Sequence, residues 1–333
     1  MSAADQTLNC GAATCTLDHG PHVADAGMDF IRCPTCRVLH IAPENLVHAT
    51  VLPDPVGKLS VVMRLLMAMR MRWLVRELPR LADRHVRIAD IGCGDGQFLE
   101  FLKIRGYDDV AGIEPDALRA CNARKRGVPV FASRKEAESA GLLKEPAEIL
   151  FIWHVLEHIE RPAEFIEEYS RWLAPTGVMV ISVPNQGSIQ TRLFGYFSAY
   201  PDYGRHIWYH TTDYLNWFVR NAPGLDAKIL RDRNYEYEVF SWVDSIASAI
   251  MRRQNFVHKA LKKGEGGPIV RLAAALAGLC LLPVATVLAP LSLHAGRGST
   301  LTFVLRPIAR SPAKTGPARE SEQQITTVRA EQT

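Results

Sequence analysis

Short apolar runs alternate with longer amphipathic segments through the middle of the chain, from residue 85 to about residue 240. The short runs are rich in β-branched residues, as buried strands are, and the longer segments have helical spacing. This alternation predicts βαβ units around a mostly parallel sheet with helices on both faces. The predicted strands are 86 to 91, 110 to 113, 128 to 131, 149 to 153, 178 to 183 and, near the end of the chain, 300 to 305.

Ahead of this region, residues 58 to 84 predict a basic amphipathic helix. Apolar side chains recur at helical spacing from Met63 to Leu81. Arg72, Arg76 and Arg80 recur every four residues on another face. Such a helix can lie against a core, a partner or a charged membrane surface.

An apolar insertion, residues 268 to 294, precedes the last predicted strand, and its positions 272 to 293 carry no charge. As one helix these 22 residues would extend about 33 Å, enough to cross a bilayer. A single crossing would separate the last strand from its sheet, and Pro283 divides the run near its centre. We therefore expect an interfacial or re-entrant hairpin in the cytoplasmic leaflet, with the basic helix facing lipid head groups. A helical lid over the site and a dimer interface are the alternatives.

Composition adds a few limits. With 333 residues, 47% of them hydrophobic, the chain can bury a full α/β core and carry appendages. The net charge of +4 is modest, so we expect no nucleic-acid partner. The amino terminus lacks the basic and apolar pattern of a secretion signal, which favours a cytoplasmic protein. Residues 311 to 333 are rich in Ser, Pro, Glu and Gln and are predicted to be disordered.

The most informative segment is the strand, glycine-rich turn and helix that begins Asp90-Ile-Gly-Cys-Gly-Asp-Gly-Gln-Phe-Leu. Glycines at 92, 94 and 96 let a ligand approach the backbone at the carboxyl end of the first strand. Glu114 closes the second strand, where a carboxylate can accept hydrogen bonds from both hydroxyls of a ribose. A nicotinamide-dependent oxidoreductase is one alternative, but a dinucleotide fingerprint would place its third glycine where Gln97 stands. A non-catalytic binding module on the same fold is the other.

These residues resemble the first two motifs of class I S-adenosylmethionine-dependent methyltransferases. Trp153-His-Val-Leu-Glu-His-Ile-Glu-Arg-Pro162 is similar to the segment after the fourth strand in the subfamily of ubiquinone-type and sugar methyltransferases. Residues 173 to 185 are similar to the turn and fifth strand of that subfamily. The resemblance implies a doubly wound α/β fold with a mostly parallel seven-stranded sheet over residues 85 to 310. It also implies S-adenosylmethionine as cofactor, and a small-molecule or lipid-linked acceptor of sugar or isoprenoid and quinone type.

The resemblance implies a set of cofactor-binding residues along the strand ends. The acidic residue that commonly follows the third strand in this family and contacts adenine is absent, and only Ser133 stands there. The implied cofactor-binding residues are Asp90, Gly92, Cys93, Gly94, Gly96, Phe98, Glu114, Pro115, Ser133 and His154.

Three histidines are candidate bases for removing the proton from a hydroxyl acceptor: His158, His206 and His210. A histidine has an ordinary pKa near neutrality and suits this task. The segment 205 to 212 is similar to a stretch that lies over the active site in the same subfamily. We expect His206 to be the base, although a structural role for each histidine remains open. His154 and Glu157 can also be read as ligands of a divalent ion, as in some relatives.

Four cysteines in residues 1 to 45 predict a zinc-ribbon-like module: Cys10, Cys15, Cys33 and Cys36. Cys33-Pro-Thr-Cys36 has the spacing with which two thiolates meet one tetrahedral zinc ion. The Cys10 and Cys15 pair has four intervening residues rather than two. Reduced thiols without a metal are the alternative. With the apolar insertion, these features predict a cytoplasmic enzyme, peripheral or monotopic on the inner face of the membrane.

Overall fold

A seven-stranded sheet forms the centre of the protein, in a computed structural model that describes residues 22–25, 28–41, 59, 61–141, 145–199, 202–203, 205–221, 225–261 and 264–307. Its strands are β4 (Ile88–Ile91), β5 (Val110–Ile113), β6 (Val130–Phe131), β7 (Ala147–Trp153), β8 (Leu173–Pro184), β10 (Leu225–Leu230) and β11 (Thr300–Pro307). The strand order is β10-β11-β8-β7-β4-β5-β6. Neighbours from β6 to β8 are parallel, whereas β11 is antiparallel to both β8 and β10.

Helices cover both faces of this sheet. They are α1 (Val61–Glu77), α2 (Gln97–Ile104), α3 (Ala117–Lys125), α4 (Arg134–Ser139), α5 (Pro162–Ser170), α6 (Ile189–Phe194), α7 (Thr212–Asn221), α8 (Tyr235–Met251), α9 (Phe256–Leu261) and α10 (Pro268–His294). One core cluster packs α1, α2 and α3 on one face of the sheet, and a second packs α5 and α7 on the other. The predicted doubly wound, mostly parallel α/β fold is confirmed.

A third core cluster joins α6, α8, α9 and α10 into a helical layer of its own. Its buried members include Trp242 and Val243 on α8 and Phe256 on α9. Because α9 and α10 both pack on α8, this layer holds the apolar insertion beside the carboxyl edge of the sheet.

The amino-terminal segment forms a small second sheet with a strand from the middle of the chain. Its order is β1 (His22–Asp25), β2 (Met28–Arg32), β3 (Leu39–His40) and β9 (Trp208–Tyr209), all antiparallel. β3 pairs with β9, with Leu39 opposite Tyr209 and His40 opposite Trp208. The Cys-bearing segment is therefore attached directly to the segment that carries His206 and His210.

The expected break at Pro283 is absent, and α10 is a single helix of 27 residues. Pro283 and Pro290 both lie inside it. The predicted hairpin is therefore wrong, because a proline removes one helical hydrogen bond without forcing the chain to reverse. Among the described residues, α10 is the one helix whose length and composition would allow it to cross a membrane.

Candidate functional site

A cavity of about 1080 Å³ opens at the carboxyl edge of the sheet. Gly92, Glu114, Ser133 and His154 line it, and they follow β4, β5, β6 and β7 respectively. β4 lies between β5 and β7, where the connections change direction, which is the usual ligand position in doubly wound sheets. Ordinary ligand pockets measure about 300 to 1,000 Å³, so this cavity has room for two small ligands together.

The glycines between β4 and α2 have left-handed backbones, with φ of 72° at Gly92, 56° at Gly94 and 73° at Gly96. A Cβ on Gly92 would lie 2.4 Å from a methyl carbon of Val155. A Cβ on Gly96 would lie 2.7 Å from that of Ala123. A Cβ on Gly94 would lie 4.0 Å from its nearest neighbouring atom, so the middle glycine leaves an open approach to the backbone. The outer two glycines serve packing, and the middle one leaves space for a ligand.

Glu114 is tied to this loop. Its buried carboxylate accepts hydrogen bonds from the backbone N–H groups of Gly94 (2.8 Å) and Asp116 (2.9 Å). Each carboxylate oxygen has a second lone pair, so both can still accept from a ligand hydroxyl. The sequence therefore placed this carboxylate correctly beside the glycine loop, at the cavity wall.

Other predicted cofactor residues lie at different depths. Pro115 lines the cavity beside Glu114. Ser133 also lines it, but its hydroxyl accepts from the N–H of Glu136 and caps α4. Cys93 is half-buried, and its sulfur would lie 2.4 Å from a Cβ on Gly112, so its side chain packs against β5.

Beneath the loop lies a group that sequence reasoning missed, the buried Arg70 of α1. Its guanidinium carbon lies 4.6 Å from the ring centre of Phe98 and 5.1 Å from that of Trp153. Its Nε is 3.8 Å from a carboxylate oxygen of Glu236. Burial raises the pKa of Asp90 to about 8, although Arg70 opposes this shift. Phe98 thus packs against this cation. The positive charge of Arg70 lies near Asp90, at the carboxyl end of β4.

The cavity lining also includes a cluster of imidazoles around one carboxylate. Glu157 is fully buried, and Nδ1 of His154 lies 3.4 Å from one of its oxygens. The rings of His158 and His206 are 4.7 Å apart, and both residues line the cavity. His154 has a left-handed backbone with φ of 54°, an unusual conformation for a residue with a side chain. Strain of this kind is common at functional sites.

The charges of this cluster are set by burial and by the neighbouring groups. Burial by itself would raise the pKa of Glu157, but His154, His206 and His158 overcome it and lower that pKa to about 2. Burial, with the nearby His158, lowers the pKa of His206 to about 3, although Glu157 opposes the shift. At neutral pH the cluster therefore presents an ionised Glu157 and an uncharged His206, whose lowered pKa makes it a weaker base than an ordinary histidine.

The same cluster could hold a metal ion. Glu157, His158 and His206 each offer a ligand atom, and these atoms lie within 4.8 Å of one another. One carboxylate oxygen and two imidazole nitrogens suit zinc or another divalent transition metal. Proton transfer and metal binding are thus both within the chemistry of these three side chains.

His210 lies apart from the cavity lining. It is buried, and its ring centre is 5.2 Å from that of Tyr214. Burial lowers the pKa of His210 to about 4. The structure therefore brings His158 and His206 together at the cavity and places His210 in the core behind them.

Cys33 and Cys36 are buried and lie in a tight turn after β2. The N–H of Cys36 donates to the sulfur of Cys33 at 3.5 Å. Both cysteines pack in the same core cluster as Trp208 of β9. Cys10 and Cys15, the other two predicted zinc ligands, lie outside the described residues, as does the tail from 311 to 333.

Comparison with known proteins gives a family match. A family model described as "Methyltransferase domain" matches residues 64–255, which is more than half of the chain and includes the glycine loop, Glu114 and the histidine cluster.

Individual relatives are more distant. The chain is 29% identical over 110 residues to the ubiquinone biosynthesis O-methyltransferase of Caulobacter sp. (strain K31), covering 30% of this chain and 42% of that protein. It is 31% identical over 115 residues to the trans-aconitate 2-methyltransferase of Methylobacterium nodulans, covering 34% of this chain and 43% of that protein. The chain thus spans less than half the length of these relatives.

Among solved structures, the plantazolicin methyltransferase BamL, in complex with a triazolic desmethylPZN analog and SAH, is similar to this chain. The two are 14% identical with a TM-score of 0.46, and the similarity covers 74% of this chain and 86% of BamL.

Proposed function

This chain belongs to the methyltransferase-domain family, whose model covers residues 64–255, and from that premise we propose that it transfers a methyl group from S-adenosylmethionine to a hydroxyl acceptor. The observation that carries the proposal is the pairing of two walls across one cavity. One wall has the glycine backbone and the Glu114 carboxylate, which can accept from ligand hydroxyls, and the other has the buried, uncharged His206.

The residues present fit the cofactor. The open approach at Gly94 admits a ligand against the backbone, and Glu114 can accept from the ribose hydroxyls. Arg70 supplies a positive charge near the carboxyl end of β4, which suits the carboxylate of the amino-acid part. S-adenosylmethionine, when bound, supplies a methyl group already activated by a sulfonium. The protein therefore has to align the acceptor, exclude water and take up one proton.

The proton from the acceptor hydroxyl passes to His206. S-adenosylmethionine, held by the glycine loop and Glu114, would supply the methyl group and leave with both electrons of its carbon–sulfur bond. The neutral His206 ring accepts the proton at a nitrogen and becomes positively charged. The ionised Glu157 stabilises that charge, and the ring of His158 packs edge-on against that of His206 at 4.7 Å. His154 positions Glu157 through their 3.4 Å contact.

We further propose that the acceptor is lipid-linked, with a sugar or an isoprenoid and quinone type of head, and that the enzyme works at the inner face of the membrane. The cavity lies next to the helical layer, since Phe240 of α8 and His258 and Lys259 of α9 line it. α9 in turn packs against α10, which carries no charge from Leu272 to Leu293. This arrangement supports delivery of the acceptor from a lipid surface to the cavity.

A structural zinc ion bound by Cys33 and Cys36, with Cys10 and Cys15, is also proposed. The tight turn and the N–H to sulfur hydrogen bond at Cys36 are suited to a pair of thiolate ligands. Because β3 pairs with β9, metal at this turn would stabilise the segment that carries His206. Metal analysis of the purified protein tests this, and a zinc content far below one per chain would contradict it.

Calorimetric titration and a labelling assay test the main proposal. We expect binding of S-adenosylmethionine and of its demethylated product, and none of NAD. Incubation of methyl-labelled cofactor with fractionated membrane lipids and soluble metabolites should place the label in a lipid fraction. Label confined to soluble metabolites would refute the lipid-linked acceptor. Binding of NAD in place of the sulfonium cofactor would refute the methyltransferase, and cofactor binding without any transfer would favour a non-catalytic module.

A further inference from the structure

The fully buried residues of α10 are small, and most of its large apolar residues are exposed, although Val270, Leu281 and Leu288 are half-buried against the third core cluster. The buried positions are Ala274, Ala285, Ala289 and Ser292. Leu279 and Val287 are 69% and 66% exposed. The other large apolar residues exposed on the helix are Ile269, Leu272, Leu276, Leu282, Val284 and Leu291. A helix on a water-facing surface has the opposite pattern, with its large apolar side chains toward the core. Small residues at the packed face are typical of helices whose other face contacts lipid.

Helix α2 shows the ordinary pattern in the same protein. Phe98, Leu99, Phe101 and Leu102 are buried against the sheet, and Ile104, at its last turn, is exposed. Although both helices pack on the same molecule, the exposed face of α10 carries many more large apolar side chains than that of α2.

Two polar groups in the second half of α10 have hydrogen-bond partners within the protein. Pro290 has no N–H, so the carbonyl of Thr286 lacks its helical donor, and the hydroxyl of Tyr235 donates to that carbonyl at 2.7 Å. The Thr286 side chain is exposed, and its hydroxyl donates to the Leu282 carbonyl at 2.7 Å. Lipid cannot supply hydrogen bonds, so a helix placed in it needs such internal partners.

The connections of α10 determine its orientation. Near its carboxyl end, Ser292 accepts from the indole N–H of Trp242 and donates to the carboxylate of Glu238, both on α8. Near its amino end, the helix packs with α9. β11 begins at Thr300 and pairs with β8 in the central sheet. One side of the helix is therefore against protein along its length, so α10 cannot cross a bilayer and has to lie parallel to it.

Basic side chains lie at both ends of the exposed face. Arg253 and Arg271 are exposed near the amino end, together with one acid, Glu265. Arg231 and Arg297 are exposed near the carboxyl end, where Arg231 donates to the carbonyl of His294. Arginines that border an uncharged face suit the boundary between acyl chains and anionic head groups.

We propose that the outer face of α10 lies in one leaflet of an anionic bilayer, parallel to the membrane plane, as a monotopic anchor. The consequence for the acceptor depends on the proposed function. Because α9 packs on α10 and contributes His258 and Lys259 to the cavity, this docking places the acceptor side of the cavity at the lipid surface. A second copy of the chain is the competing occupant of this face.

Vesicle sedimentation of the full-length protein tests the anchor. Wild type should partition onto phosphatidylcholine vesicles that contain phosphatidylglycerol, and more weakly onto phosphatidylcholine alone. Leu279→Glu combined with Val287→Glu should lower the partition coefficient by at least about tenfold, since each substitution removes an apolar side chain from lipid. Ile104→Glu, an exposed apolar residue on α2, is the matched control and should leave partitioning unchanged.

Equal partitioning of wild type and the double variant would overturn the anchor. So would a dimer of the wild type in solution that the same substitutions dissociate. Binding of S-adenosylmethionine, measured in parallel, separates this outcome from failure of the proposed function, because the substituted residues lie outside the cavity lining.

Cys280 is an exposed thiol in the middle of α10 and reports the depth of the helix. An environment-sensitive fluorophore on Cys280 should shift to the blue on vesicles, with Cys280→Ser protein, treated in the same way, as background. Nitroxide lipids labelled near the glycerol backbone should quench it more than lipids labelled at the chain end. Stronger quenching from the chain end would indicate a crossing helix and contradict the parallel orientation.

Discussion

The two walls of the cavity are built in different ways. The cofactor wall is nearly continuous in sequence, since residues 90 to 98 form a strand end, a loop and a helix start, and Glu114 ends the adjacent strand. The acceptor wall joins His154 and Glu157 to His206 and to His258, from segments up to about a hundred residues apart. The first wall is therefore defined by local chain geometry, and the second depends on how separate elements pack. A variant that affects one wall should leave the other largely intact.

His206→Asn should have the largest effect, because it should lower catalysis without changing cofactor binding. It removes the proposed base, so kcat for methyl transfer should fall by about 10²- to 10⁴-fold. The affinity for S-adenosylmethionine, measured by calorimetry, should stay near the wild-type value, because Glu114 and the glycine loop are untouched.

His210→Asn is the matched control for that variant. His210 is buried behind the cavity and does not line it, so its replacement should lower stability more than kcat. Equal losses of kcat in the two variants would show that the histidines act through packing alone.

Glu114→Ala should have the complementary effect on the cofactor wall. The ribose hydroxyls and the N–H of Gly94 would lose their acceptor, so cofactor binding should weaken by about 1 to 3 kcal/mol. Glu114→Gln retains one acceptor oxygen, so its affinity for the cofactor should lie between those of Glu114→Ala and wild type. Unchanged calorimetric affinity in Glu114→Ala would contradict the position assigned to the ribose.

The pH dependence of stability tests the lowered pKa of His206. The pKa of His206 is about 3 in the folded protein, below its ordinary value of 6.5. Between these values the unfolded chain binds more protons, so stability falls as the pH is lowered from about 6.5 toward 3. From about pH 7 to about pH 5, the free energy of unfolding should fall by about 1 to 2 kcal/mol more in wild type than in His206→Asn.

Denaturant titrations of both proteins at each pH measure this difference. Asp90, whose pKa is raised to about 8, has the opposite pH dependence, but it is present in both proteins and its contribution cancels in the subtraction. Parallel pH dependences in the two proteins would show that His206 keeps its ordinary pKa.

The sequence predicted the strand ends, the glycine loop and the position of Glu114 well because these features depend on local rules. β5 lies at the predicted residues, 110 to 113, and Glu114 lies beside the loop as expected. The predicted β4 and β6 were slightly too long, since their first residues lie outside the hydrogen-bonded ladder. Glycine loops and buried strands have strong local patterns, and tertiary contacts change them little.

The sequence analysis was weaker where packing between distant segments decides the outcome. Arg70 was overlooked because its buried position depends on rings from α2, β7 and α8, and arginine is ordinarily exposed. The edge strand β10 was missed, although Leu225, Ala227 and Ile229 alternate with polar residues. Pro283 was given too much weight, because packing of small residues on α8 keeps α10 continuous. Arg70 and Pro283 thus depend on tertiary packing, whereas β10 does have a local alternating pattern.

The contact between the two walls can itself be measured at Gly92. Gly92→Ala and Gly94→Ala place the same methyl group on neighbouring left-handed backbones, with φ of 72° and 56°. Only at Gly92 does the new methyl meet a neighbour, since its Cβ would lie 2.4 Å from a methyl carbon of Val155 on the acceptor wall. Backbone strain is nearly common to both variants, so the difference in their free energies of unfolding reports the steric contact between the walls. We expect Gly92→Ala to be less stable than Gly94→Ala by about 1 kcal/mol, as for modest overpacking in a core. Restoring space with Val155→Ala in the Gly92→Ala background should recover part of that loss. Equal stabilities of the two glycine variants would mean that the loop and the segment after β7 do not constrain each other.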